Sequence, residues 1–272
     1  SFPTRRSSDL ALARTESALS DYVDLMREHG VGGVRMVATS AARDAGNRDE
    51  FFAMTARLLG SVAPGAVAEV ITGTEEAQLS FRGAVGELEA GAAPFVVVDL
   101  GGGSTELVLG TDAGVTAAFS ADIGCVRIKE RCLHSNPPTA AEIDAARAVV
   151  RERLAEALSV VEVGAAHTWV GVAGTFTTLA ALAHRLPVYD PAAIHLSRTG
   201  FSDLLAVCAD LLEMTAEQRL ALGPMHEGRA DVIPGGAIIV QELTRVLAER
   251  AGLGELVVSE HDILDGIALS IA

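Results

Sequence analysis

Four carboxylates stand where acid–base or metal chemistry would need them: Glu75 and Glu76, then Asp99 and Glu106 on either side of Leu100-Gly101-Gly102-Gly103-Ser104-Thr105. An apolar run at 95–98 delivers Asp99 to its carboxyl end. Three glycines then let the backbone approach an anion closely and present N–H groups with no Cβ in the way. Glu106 opens a returning apolar run. Two carboxylates around a phosphate-sized loop suit a hydrated Mg²⁺, which takes one or two carboxylates and leaves its other positions to water and substrate oxygens. A dinucleotide-binding reading fails, because that fingerprint needs a helix straight after the glycines, whereas Glu106-Leu107-Val108-Leu109-Gly110 continues as strand. The plain alternative is a glycine-rich hairpin with incidental acids.

Four further stretches carry polar groups at the ends of apolar runs. In Thr72-Gly73-Thr74-Glu75-Glu76 both glutamates fall at a helix start, where the macrodipole favours negative charge. Thr72 and Glu75 have capping-box spacing, which makes Glu75 structural. Glu76 points elsewhere around the helix, either as a general base for water or as one more surface glutamate. In Gly171-Val172-Ala173-Gly174-Thr175-Phe176-Thr177-Thr178 a strand ends, a glycine turns and a helix begins. Its first-turn amides form an anion site, or Thr175 is a plain N-cap. Arg43, in Ala38-Thr39-Ser40-Ala41-Ala42-Arg43, either clamps a phosphate in bidentate fashion or lies on a solvated helix face. Arg229-Ala230-Asp231, ahead of Pro234-Gly235-Gly236, either lines a cleft or starts a helix. The seven histidines are dispersed, and none pairs with Ser or Cys in a nucleophile motif.

The elements that must position these groups alternate. Helix is expected at 10–29, with Gly30 as its stop, strand at 34–38, helix at 49–59, strand at 67–71 and helix at 75–85. A breaker at 91–94 marks the expected boundary. Strands at 95–98, 106–109 and 115–119 follow as a meander, then helices at 127–133 and 140–161, the second with a Thr139/Glu142 capping box. A strand at 168–172 feeds the helix after Gly174. Helices at 201–212 and 235–250, a strand at 255–258 and a last helix from 262 complete the chain. This order indicates α/β lobes. With 272 residues, 49% of them hydrophobic, the chain has ample core for two modest domains.

A formal net charge of -15 argues against nucleic acid, which requires a basic face. It leaves room for a phosphorylated substrate, since an ion and a few local donors reverse the sign at one site. No polybasic or bilayer-length apolar run suggests a membrane. Three scattered cysteines, Cys125, Cys132 and Cys208, give neither metal spacing nor a disulfide framework and fit a reduced cytoplasm.

These segments, in this order, resemble the exopolyphosphatase/guanosine pentaphosphate phosphohydrolase family, Ppx/GppA. The resemblance is carried by the segments around Arg43, Glu76, Asp99–Glu106, Gly174-Thr175, Arg229-Ala230-Asp231 and Val257-Val258-Ser259-Glu260, and runs from about residue 10 to the end. It implies a two-lobed actin, sugar-kinase and Hsp70-like (ribonuclease H-like) α/β fold. It implies 1–93 as a partial first lobe, 94–260 as the second lobe and 261–272 as a helix returning to the first; the polar, aperiodic stretch 1–10 is expected to be either extraneous sequence or an ordinary frayed terminus. It further implies Glu76 as the base that activates water and Asp99 and Glu106 as Mg²⁺ ligands. Arg43, Gly101, Gly102, Gly103, Ser104, Gly174 and Thr175 would contact phosphate. The implied substrate is inorganic polyphosphate or guanosine pentaphosphate, with a homodimer as one assembly open to it. Nothing here matches the Asp-x-Gly loop with which such proteins open, so the first lobe is expected to be incomplete. That departure keeps a non-catalytic polyphosphate-binding sensor as a rival reading.

Overall fold

The computed structural model describes residues 9–38 and 47–271, and it divides by internal contacts into two units, 1–79 with 264–272 and 80–263. In the first unit α1 (Asp9–Glu28) packs on α2 (Arg48–Leu59) through Leu19, Val23, Leu58 and Leu59. Gly30 ends α1 at φ +63°, and the Val31 amide bonds back to the Met26 carbonyl at 2.9 Å. This is the left-handed helix stop expected of that glycine. β1 (Val37–Ala38) pairs in parallel with β2 (Glu69–Val70). Both strands are shorter than the apolar runs that predict them, because each finds only the other as a partner among the described residues. α3 (Gly73–Val85) follows, and its course spans the division between the units. Its Leu79 carbonyl lies so close to Gly266 of α11 (Ile263–Leu269) that a Cβ there would sit 1.9 Å away.

The second unit is built on a six-stranded sheet ordered β5-β4-β3-β6-β8-β7. β3 (Phe95–Leu100), β4 (Thr105–Thr111) and β5 (Gly114–Ala121) form the antiparallel meander. β6 (Thr168–Val172) and β8 (Glu255–Val258) run parallel to β3, and β7 (Ser197–Gly200) closes the edge antiparallel to β8. Consecutive strand residues face opposite sides. Val96, Val98 and Leu100 therefore enter the main core together with Leu107, Leu109 and Trp169. Trp169 meets Phe176 and Phe201 edge-on at 5.6 and 5.7 Å. Gly171 leaves room for the Phe176 ring, which a Cβ would approach to 2.6 Å.

The helices of this unit are α4 (Cys125–Cys132), α5 (Ala140–Leu158), α6 (Gly174–Ala183), α7 (Pro191–Ile194), α8 (Phe201–Glu213), α9 (Ala216–Leu220) and α10 (Ile233–Ala251). α7, β7 and α9 are too short to show a periodicity in sequence. The capping box on α5 forms as expected: the Thr139 hydroxyl accepts from the Glu142 amide and the Glu142 carboxylate from the Thr139 amide. No described helix is long and apolar enough to cross a membrane.

Two carboxylates give this unit an acid-labile stability. Amide donation from Thr139, then from His134 and Ser135, outweighs desolvation and holds the Glu142 carboxyl at about 2, against an ordinary 4.5. Burial opposes ionisation of Glu242, but the Arg151 and Arg245 guanidiniums overcome it and hold its carboxyl below the usual range. A depressed folded-state pKa stabilises above the unfolded value and is lost as pH falls through the folded one. Thermal unfolding should therefore move to lower temperature between pH 4.5 and about 2. Glu142→Gln should be less stable at neutral pH and lose less over that window, as scanning calorimetry at stepped pH would read.

Candidate functional site

The glycine loop after β3 is held by the helix that follows β5. The Cys125 amide donates to the Gly101 carbonyl at 3.1 Å, and the Val126 and Arg127 amides both donate to Gly102 at 3.0 Å. Arg127 Nε donates to the Gly103 carbonyl at 2.8 Å. The orphan donors at the start of α4 are thus satisfied by loop carbonyls, with no side-chain cap. Because peptide units are planar and trans, carbonyls aimed at α4 turn the N–H edges of Gly102, Gly103 and Ser104 away from it. This is the orientation an anion-binding loop requires. The approach is peptide to peptide: a Cβ on Gly124 would sit 2.4 Å from the Gly102 carbonyl.

Asp99 and Glu106 are directly opposite cross-strand partners, and Glu106 in turn opposes Ser120. Their Cβ atoms are therefore about 5 Å apart on one face of the sheet. Like charges so placed repel unless a cation or proton lies between them. Ser120 Oγ donates to Glu106 Oε1 at 2.6 Å, leaving an oxygen-only donor set that fits Mg²⁺. On its other side Asp99 is registered with Val172, the last residue of β6, so the same row leads to the second turn.

That turn is Ala173-Gly174-Thr175. Ala173 takes φ +72°, a conformation rare outside glycine, and α6 starts on it without a side-chain cap. Thr175 is not the N-cap: it is buried, and its side chain lies against Gly236. What the turn offers an anion is thus backbone rather than the Thr175 side chain. Over it lies a guanidinium that sequence reasoning left undecided. Arg229 Nη1 donates to Thr178 Oγ1 at 2.6 Å, and a Cβ on Gly174 would come within 2.0 Å of Arg229 Nη2. Its pairing with a glycine 55 positions earlier in the chain (229 − 174) leaves no mark in local sequence. Cys125 also borders this site, yet burial raises its thiol pKa despite neighbouring hydrogen bonds and Arg229. It remains a thiol and is no candidate nucleophile.

Glu75 and Glu76 belong to the first unit. The Glu75 amide bonds to Thr72 Oγ1 at 3.1 Å, so half of the expected capping box forms. The Glu75 carboxylate goes instead to Arg35 Nη2 at 2.6 Å, while Arg35 Nε pairs with Glu69 at 2.5 Å. Arg35 Nη1 donates to Ser270 Oγ at 2.7 Å. One guanidinium thus fixes the first turn of α3. Glu76, the next residue, is half-buried, and its amide bonds to the Thr72 carbonyl at 2.9 Å. Arg43 lies outside the described residues.

Comparison with known proteins gives a consistent set of matches. The model of the Ppx/GppA phosphatase family matches residues 4–271. Exopolyphosphatase 2 of Mycobacterium tuberculosis is 65% identical over 269 residues, covering 99% of this chain and 84% of that protein. The crystal structure of an exopolyphosphatase-like protein aligns with a TM-score of 0.85 at 42% identity, covering 98% of this chain and 86% of the other. That of the Aquifex aeolicus Ppx/GppA family member aligns at 0.81 with 30% identity, covering 97% and 82%.

The two tight glycines should respond differently to alanine. Gly124→Ala meets backbone that cannot yield and should cost about 1–3 kcal/mol, read as a lowered melting temperature. Gly174→Ala meets the movable end of a side chain, so the fold should tolerate it. By displacing Arg229 it should weaken sulfate or phosphate binding at least ~10-fold, since charge-assisted hydrogen bonds are the strong ones, as measured by calorimetric titration.

Proposed function

Given that the chain belongs to the Ppx/GppA phosphatase family, whose activity is hydrolytic, we propose that it removes terminal phosphate from inorganic polyphosphate. The observation that carries this reading is the pair of backbone loops at the carboxyl ends of β3 and β6, with Arg229 over the second and the paired carboxylates of Asp99 and Glu106 flanking the first. A fold of the actin, sugar-kinase and Hsp70 class supplies this arrangement. The 65% identity to an exopolyphosphatase supports the substrate.

In this reading the amides of Gly102, Gly103 and Ser104 and those of the Gly174-Thr175 turn bind phosphoryl oxygens. Arg229 adds positive charge where the terminal group sits, so negative charge developing in the transition state meets donors already in place. Asp99 and Glu106 would hold Mg²⁺. That ion, when bound, neutralises phosphate charge and orients the leaving group. Glu76 orients a water and accepts its proton as the oxygen attacks phosphorus, and the shortened chain departs with the bridging oxygen. Arg35 keeps Glu75 occupied and so sets the helix turn from which Glu76 projects. Guanosine pentaphosphate ends in the same phosphoanhydride and is the second substrate to assay.

Glu76→Gln should lower kcat for phosphate release from polyphosphate at least ~100-fold, as loss of a general base does, with polyphosphate binding nearly unchanged. Near-normal turnover would remove Glu76 from the mechanism. Binding without turnover in the unaltered chain, with Mg²⁺ present, would instead identify a polyphosphate sensor. Asp99→Asn should raise the Mg²⁺ concentration needed for half-maximal activity. Release from guanosine pentaphosphate, assayed alongside, ranks the two substrates.

A further inference from the structure

Among the described residues, one group of three metal-ligating side chains gathers in the second unit: Glu87, His195 and His261. Glu87 follows α3, His195 closes α7, and His261 follows β8. His195 Nε2 lies 3.0 Å from Glu87 Oε2 and His261 Nδ1 lies 3.7 Å from Glu87 Oε1. The two imidazoles are 4.2 Å apart, centroid to centroid, and one donor atom from each of the three residues lies within 4.8 Å of the others. No sequence motif announces the group, because its members are spread over 175 positions of chain (261 − 87 + 1). We propose that Glu87, His195 and His261 bind a divalent transition ion of the Zn²⁺ class.

The donor set argues for that class of ion. Two imidazoles and one carboxylate, with water in the fourth place, are a recurrent zinc environment. Imidazole nitrogen favours zinc-like ions, whereas Mg²⁺ keeps to oxygen. This separates the group in chemistry from Asp99 and Glu106. Bonds of about 2.0–2.1 Å in tetrahedral geometry put donor atoms roughly 3.3 Å apart. The three donor atoms lie within 4.8 Å of one another, and the imidazoles reach Glu87 at 3.0 Å (Oε2) and 3.7 Å (Oε1), so the side chains must draw together around the ion.

The backbone beneath is fixed. The Leu196 amide donates to the Val258 carbonyl at 2.7 Å, and the Ser259 amide to Gly171 at 3.0 Å. Ser259 Oγ accepts from the His261 amide at 3.1 Å. Access is open, since the Glu87 and His261 side chains are 58% and 38% exposed.

The metal-free hydrogen bonding makes a more specific demand. The Glu260 amide donates to His195 Nδ1 at 3.2 Å. Neutral His195 therefore carries its proton on Nε2, directed at Glu87. An ion can bind at Nε2 only when that nitrogen gives up its proton and frees its lone pair, so the ring proton must relocate through solvent to Nδ1. The Glu260 amide then loses its acceptor and the turn at 259–261 must adjust. The Glu260 carboxylate accepts from Tyr189 Oη at 2.6 Å. Burial and that carboxylate push the Tyr189 hydroxyl up to about 12, so it remains a donor. Ion binding is thus tied to a turn at the same sheet edge as the Gly174 loop, and losing one hydrogen bond keeps the affinity moderate.

The test is calorimetric titration of the chelator-stripped full chain with Zn²⁺, in excess Mg²⁺ so that the carboxylate pair is occupied. One Zn²⁺ per chain is expected, at micromolar Kd. His261→Ala and Glu87→Gln should each weaken binding at least ~10-fold, as loss of a ligand must, and Asp99→Asn should leave it unchanged. Co²⁺ in place of Zn²⁺ should give the visible absorption of a low-coordinate site, lost in His261→Ala. The Glu260 amide resonance should shift on Zn²⁺ addition in the unaltered chain. Absence of Zn²⁺ binding, binding indifferent to both ligand substitutions, or binding abolished by Asp99→Asn would overturn the proposal. None of these outcomes depends on what Glu76 does.

Discussion

The second unit turns on a contact between two peptides, Gly102 and Gly124, too close for either a side chain or a water to intervene. Through it, the amides opening α4 find their acceptors in the loop and the loop finds its orientation. A helix start buried without acceptors would leave several donors unpaired. A glycine loop without partners would sample many conformations. Each cost is removed by the same bonds. The N–H side of the loop is a by-product of this exchange, since a peptide that spends its carbonyl in one direction shows its N–H in the other.

The same economy appears in the carboxylates. A net charge of -15 makes the protein a poor host for polyanions in general. The candidate site answers locally, with backbone donors, Arg229 and a pair of opposed acids whose mutual repulsion a bound cation would relieve. In the proposed function, acidic residues are therefore part of the phosphate chemistry. Their repulsion also explains why Ser120 is a fitting neighbour for Glu106: a hydroxyl donates to the carboxylate without adding a competing charge.

Where sequence is informative about this molecule, the information is local. The strand–glycine–strand pattern at 95–109, the capping box at Thr139 and the stop at Gly30 each need only a few neighbouring residues, and each forms as the pattern requires. The features that escaped depend on residues brought together by the sheet. Thr175 has the type and position of a cap, yet it is buried against Gly236, distant in sequence. Arg229 is equivocal until the backbone of Gly174 is seen beneath it. Glu75 has the spacing of a capping box, but Arg35 offers its carboxylate a charged partner, and a charge-assisted bond outcompetes a neutral amide.

The parallel strands explain why chemistry collects on one edge. β3, β6 and β8 all end there, and each ends in a turn that lacks regular pairing: 101–104, 173–175 and 259–261. Open parallel sheets expose backbone donors and side chains at their carboxyl ends, which is where ligands bind in such folds. The first two turns carry glycine and present amides. The third carries Ser259-Glu260-His261 and presents side chains. With neighbouring strands about 4.8 Å apart, the third turn lies roughly 10 Å along the edge from the first. The Ser259 amide joins it to Gly171, three residues before Gly174. A change at the histidines therefore has a short, hydrogen-bonded route to the Gly174 loop, whichever ion or proton causes it.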